Sequence, residues 1–202
     1  MEPVRTIKFA PFDVLLAGCA VNPTNGDLAG TEVSEYDDPG SLVVFRNGAG
    51  KPNSYQSGNI FYYDFVAYDS TGNAFVDGGG SSRGMSLDEL RSGGKKLVNV
   101  TPHHWRLRPL FAGGVQYDGA DVAVGGLKHG RIFRISDREV VGTTKIIGTC
   151  QVRQFAIDGE TLIAPSACHS HGEVLFYDYP GGGNPTTKLT GFQLPYAVTI
   201  SQ

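Results

Sequence analysis

The chain has 202 residues, enough for one domain spanning 1–202, and 40% hydrophobic content supplies a core, so wholesale disorder is excluded. Charged residues are 18% and sum to −3, which leaves no basic field for a nucleic-acid backbone. The 28 glycines and 11 prolines follow no three-residue period, excluding collagen and arguing against long helices, and no apolar run approaches the roughly 20 residues of a membrane helix.

In chain order, Met1–Lys8 carries charges but no clean apolar segment of the kind a secretory leader requires. Pro3–Phe9 instead reads as a polar strand that leads into Gly18-Cys19-Ala20-Val21-Asn22. That pentad has counterparts at Phe65–Asp69, Gly114–Asp118, Gln154–Asp158 and Ala197–Ser201, with centres at 20, 67, 116, 156 and 199. The first four run into a turn holding Gly26, Gly72, Gly119 or Gly159 and then a second apolar run. Short apolar runs joined by Asn/Asp/Gly turns predict β-hairpins. A third strand opens near Gly40, Gly84, Gly130 and Gly172, and a more polar fourth follows, as at Lys96–Val100 and Thr186–Thr190. Ser86–Arg91 alone has a helical look, and the repeat assigns it to a third strand.

Four strands per unit of about 40–50 residues is the period of a β-propeller blade. A sandwich, the rival all-β architecture, does not repeat as a four-strand cassette. The expected fold is therefore an all-β propeller of about five blades, four complete and a fifth closed by the N- and C-terminal strands. Closure removes exposed sheet edges. The alternative is part of a larger propeller, whose open edge would drive homodimerisation.

The hairpin Val66–Asp77 and the outer hairpin Phe176–Pro185 resemble those of bacterial NHL-repeat and gluconolactonase-like propellers. That resemblance implies either a binding module or a calcium-dependent hydrolase of lactones and phosphoesters, with a metal at the mouth of the central tunnel. The positions just before the aligned pentads are Ala17, Asp64, Gly113, Arg153 and Tyr196, and only Asp64 is a good oxygen ligand. The chain departs there from the hydrolase pattern.

Propeller geometry sorts the polar residues by face. Asp and Asn in the inner turns read as turn chemistry. Inter-blade loops and the loops between second and third strands share the other face. With Asp69 taken opposite Gly72, Asp64 falls across from Asp77, and two facing carboxylates repel unless a cation or a shared proton intervenes. They are the candidate calcium ligands; the competing reading is a solvated pair, or Asp77 bound to the amides of Gly78–Gly80. His103 and His104, then His169 and His171, bring imidazoles to the same face as metal ligands or general bases, although solvated loop histidines are commoner. Arg153 is a candidate for steadying an oxyanion, with an ordinary ion pair as the plainer alternative. Glu32, Glu35, Asp37 and Asp38 read as an acidic rim. Tyr62, Tyr63, Trp105 and Tyr196 could stack on a sugar or wedge blades together. Ser81 and Ser82 follow three glycines, and Gly80-Ser81-Ser82-Arg83-Gly84 matches Gly-x-Ser-x-Gly, but no helix is expected after it, which argues against a serine elbow.

Cys150 and Cys168 fall at one end of the same predicted hairpin and form a candidate disulfide, with two free thiols as the alternative. A bridge would imply an oxidising, extracytoplasmic compartment. Cys19 is expected as a small buried apolar residue. Two functions follow. One is a small hydrolase opening a lactone or related ester at the tunnel mouth, with Asp64 and Asp77 on calcium or water, a histidine moving the proton, and Arg153 at the oxyanion. The other is a non-catalytic propeller that binds a glycan or protein partner. Neither needs nucleic acid or a membrane.

Overall fold

The computed structural model describes residues 14–34, 38–80, 84–103, 112–126, 130–150, 152–168 and 171–200. Four antiparallel sheets, each a meander of four consecutive strands, account for all the named strands. The first holds β1 (Val14–Val21), β2 (Leu28–Ser34), β3 (Ser41–Phe45) and β4 (Asn53–Tyr55). The second holds β5 (Tyr62–Tyr68), β6 (Ala74–Gly80), β7 (Gly84–Leu90) and β8 (Val98–Asn99). β9 (Ala112–Tyr117), β10 (Val122–Gly126), β11 (Arg131–Ser136) and β12 (Glu139–Lys145) make the third. The fourth comprises β13 (Ala156–Asp158), β14 (Thr161–Cys168), β15 (His171–Asp178) and β16 (Thr187–Phe192).

These are the four complete blades that the repeat predicts, arranged as an all-β propeller. The stretch with a helical look is strand β7, and a 3-10 turn at Arg46–Gly48 is the sole helical segment among the described residues. Strand pairing overrides local propensity there, because β7 takes its hydrogen bonds from β6 and β8. For the fifth blade, residues 3–9 lie outside the described residues. Residues 194–200 join no sheet among the described strands.

The inner turns explain why the hairpins form where they do. Gly26, Gly72, Gly119 and Gly159 have φ of 74°, 86°, 99° and 55°, a region that costs glycine nothing. Asx chemistry completes the first three: Asn22 Oδ1 accepts the Thr24 amide, Asp69 Oδ1 the amides of Thr71 and Asn73, and Asp118 Oδ1 those of Ala120 and Asp121. The expected structural role is what the structure shows for Asn22, Asp69 and Asp118.

Among the described residues the core consists of three apolar slabs, one between each pair of successive blades. Between blades 1 and 2 lie Leu42, Tyr63, Val66 and Val76; between blades 2 and 3, Phe65, Leu87, Val115 and Val124; between blades 3 and 4, Ile132, Phe155, Leu162 and Tyr177. Each large side chain removed from water contributes about 1.5–3 kcal/mol, so the blades are held mainly face to face. On the side where no described strand precedes β1, its side chains have no such neighbour among the described residues, and Leu15, Leu16 and Val21 are exposed. Cys19 shares that strand and is exposed, not buried as its apolar setting suggests.

Candidate functional site

The inner strands bring the positions before each pentad to one end of the ring, in order. A Cβ on Gly18 would touch the Asp64 carbonyl and Phe65, one on Gly113 would touch the Val152 carbonyl, and Arg153 reaches Tyr196. By the direction of the strands, Asp64, Asp77, His103, Arg153 and the first residue of β15, His171, all lie toward this same end. His104 and His169 lie outside the described residues.

Asp64 does sit across from Asp77, but by a route the hairpin arithmetic misses. Below the turn, Asp69 pairs with Asn73 instead of Gly72, and the register holds at Val66↔Val76. A bulge then places both Asp64 and Phe65 opposite Asp77 before pairing resumes at Tyr63↔Gly78. Asp77 is fully buried, and its Oδ1 accepts the bulged Phe65 amide at 2.8 Å. Its partners are therefore not the Gly78–Gly80 amides considered above. Oδ2 has no hydrogen-bond partner among the described residues. Burial first and the nearby Asp64 charge second hold the Asp77 carboxyl well above the usual carboxylate range, against the pull of backbone amides, Phe65 foremost.

Blade 1 uses the same device with a different side chain. Its bulge falls between Leu16 and Cys19, and the buried Thr31 accepts the Gly18 amide at 2.8 Å while donating to the Asp64 carbonyl at 2.7 Å. In blade 3 the facing position is Gly125, where any side chain would overlap the Gly113 carbonyl. Thr31, Asp77 and Gly125 thus occupy one repeat position that accommodates the inner-strand bulge. Only tertiary register reveals that Asp77 belongs to this series.

The other mouth residues divide between packing and exposure. The Arg153 guanidinium donates to the Tyr196 hydroxyl at 2.8 Å and lies 4.6 Å from the centre of its ring. Tyr63 is core: its hydroxyl accepts the Ser57 amide, and burial is the main cause of a pKa pushed up to about 12. Tyr62 is exposed, edge-on to Phe61. Within the acidic rim, Glu32 accepts the Ser41 hydroxyl, Asp38 is exposed, and Glu35 and Asp37 lie outside the described residues, as does Trp105. His103 is exposed in the β8–β9 connection. Cys150 is disulfide-bonded, and its amide approaches the hydroxyl of Ser166, two residues before Cys168 on β14. Among the described residues no group of three His, Cys, Asp or Glu is placed to share a metal ion.

The opposite end of the ring carries a feature that motif reasoning passes over. Where blades 1 and 2 splay apart, a cleft of about 810 Å³ opens beside the inner turns. Arg46, Lys51, Arg91 and Lys95 line it together with Tyr55 and Tyr68. The corresponding cleft between blades 2 and 3, about 530 Å³, is lined by Asp69, Glu89, Asp121 and Asp137 against Arg91 and Arg138. The repeat does hold a signal for this contrast. The position that follows Phe45, Leu90, Ile135 and Tyr177, the matching partners of the second strands, is Arg46, Arg91, Ser136 and Asp178 in blades 1 to 4.

No family model matches the chain, and no curated protein sequence does. Solved structures match over most of its length. A nidogen/laminin complex gives a TM-score of 0.68 at 15% identity, covering 94% of this chain and 70% of that one. Virginiamycin B lyase from Staphylococcus aureus gives 0.60 at 15% identity, covering 89% of this chain and 63% of that one. The glutaminyl cyclase of Myxococcus xanthus gives 0.56 at 14% identity, covering 85% and 68%. The set spans enzymes and a protein that acts in a complex, and at this identity the likeness establishes the fold: a β-propeller.

Proposed function

We propose that the chain is a recognition propeller that binds a glycan or a protein partner without turning it over. The observation that carries this reading is how the mouth residues are used. Asp77 holds the bulge of β5, and Arg153 is laid on Tyr196, so both candidate groups are engaged by the chain's own packing. The fold hosts catalysts and binders alike, as the lyase, the cyclase and the nidogen/laminin complex illustrate. Incubation with a panel of lactones, esters and glycosides is expected to give no turnover, and a glycan or protein array is expected to retain the chain. Turnover that disappears in Asp64→Ala overturns this reading.

One observation favours the second reading, a calcium-dependent lactone hydrolase of the gluconolactonase-like kind. Asp77 Oδ2 is a buried polar atom without a described partner, next to a second carboxylate. Buried carboxyls with perturbed pKa concentrate at functional sites. Calcium takes six to eight oxygens, so Asp64 and Asp77 would need backbone carbonyls to complete the shell. In that reading Asp64 and Asp77 would hold the ion, which would supply Lewis-acid polarisation of a substrate carbonyl, and His103, His104, His169 or His171 would carry the proton. A melting temperature that rises with calcium and falls with chelator, in wild type but not in Asp77→Asn, would support it.

A further inference from the structure

We propose that the cleft between blades 1 and 2 binds an acidic saccharide, a sugar chain bearing carboxylate or sulfate groups. This rests on the recognition reading and places its ligand at the end of the ring opposite the tunnel mouth considered above.

Four cationic side chains, Arg46, Lys51, Arg91 and Lys95, line one cleft of a chain whose net charge is −3. All four are exposed and come from two blades, with Arg46 and Lys51 on the β3–β4 connection and Arg91 and Lys95 on the β7–β8 connection. Asp27 is the sole carboxylate among the lining residues, and its oxygens already accept the Asn47 amide and the Asn25 side chain. Arg91 does pair with Glu89 at 3.4 Å, but its side chain is 74% exposed, and such surface pairs contribute little. Its guanidinium stays available to a ligand.

The sign of the charge is local. In the next cleft around the ring, carboxylates outnumber cations among the charged lining residues, four (Asp69, Glu89, Asp121, Asp137) against two (Arg91, Arg138). A chain-wide preference for basic loops would have made both clefts cationic. Arginine and lysine on opposite walls suit spaced anionic groups, since guanidinium binds carboxylate or sulfate through paired donors.

The remaining lining residues select for sugar over bare charge. Tyr55 and Tyr68 are half-buried on the two walls, offering apolar ring surface with a polar tip. Burial foremost, then the Asp27 charge, pushes the Tyr68 hydroxyl further above its ordinary pKa, so it is a donor at neutral pH. The exposed Asn53 adds an amide of the kind that hydrogen-bonds sugar hydroxyls. At about 810 Å³ the cleft lies within the usual range for ligand sites, roughly 300–1,000 Å³.

The test is titration calorimetry at low salt with five probes: tetragalacturonate, a heparin-derived tetrasaccharide, maltotetraose, inorganic polyphosphate and a poly-glutamate octapeptide. At least one acidic saccharide is expected to bind, and maltotetraose is not. Lys51→Glu and Lys95→Glu are each expected to weaken binding about tenfold, the loss of one charged hydrogen bond plus repulsion. Arg138→Glu, the same charge change in the neighbouring cleft, is expected to leave it unaltered. All three positions are exposed, so the variants should melt with wild type. The proposal is overturned if neither acidic saccharide binds, if binding ignores Lys51 and Lys95, or if polyphosphate or poly-glutamate binds equally well. A neutral glycan or protein captured elsewhere on the chain would sink this assignment and leave the recognition reading standing. Turnover of a lactone would do the reverse.

Discussion

Replacing Asp77 separates its hydrogen bond from its charge. In the folded chain the carboxyl is fully buried, accepts the Phe65 amide through one oxygen, and is held well above its ordinary value of 3.8 by burial and by Asp64. A carboxyl whose pKa is raised on folding binds its proton more tightly in the folded state. The stabilisation is fully present below the unfolded pKa, near 4, and is lost as pH rises through the folded pKa, by about 1.4 kcal/mol per pH unit inside that window. Asp77→Asn keeps an oxygen acceptor for Phe65 and removes the ionisation. The variant should therefore lose that pH slope and exceed wild type in stability at neutral pH. Asp77→Ala also removes the ionisation but leaves a buried amide unpaired, which costs about 1–3 kcal/mol. Urea unfolding of the three proteins at several values from pH 4 to pH 8 reads both effects. Equal destabilisation of Asn and Ala at every pH, or a wild-type slope that persists in Asp77→Asn, would refute the account of this residue.

Other outcomes follow from the same contacts. Thr31→Val should cost about 1–3 kcal/mol in urea unfolding because it orphans the Gly18 amide and the Asp64 carbonyl, and Thr31→Ser should recover most of it. Tyr179 donates to Asp118 at 2.6 Å across the blade 3–4 joint. Partial burial opposes ionisation of Asp118, but this bond and the turn amides outweigh it and hold the carboxyl below its usual range. The stability that depends on its charge is thus present above the unfolded pKa and lost as pH falls through the folded one. Tyr179→Phe should cost about 1–2 kcal/mol at pH 7 and less near pH 3. Of the three cysteines, Cys19 alone should react with a thiol reagent in the native protein, and non-reducing peptide mapping should join Cys150 to Cys168. Alkylation of all three without reductant contradicts that pairing.

Local chemistry was enough to set the blades. Asn or Asp at the start of a turn and glycine near its end specify a tight hairpin through contacts within a few residues, so the inner turns and the four-strand period could be read along the chain. The same four-strand period assigned Ser86–Arg91 to a third strand despite its helical look. The use of the mouth residues was decided at longer range. A bulge shifts register by one residue, and the pentads hold no mark of where it falls, so only the paired sheet shows Asp77 capping Phe65 and standing beside Thr31 and Gly125 in a common role. Arg153 and Tyr196 are 43 positions apart, and the contact between them exists only because the chain after β16 returns beside the segment that leads into β13. The cationic cleft belongs to the same category. Arg46 and Arg91 occupy matching places in their repeats, but their charges add into one field only because neighbouring blades diverge outward and leave a wedge that both of them line.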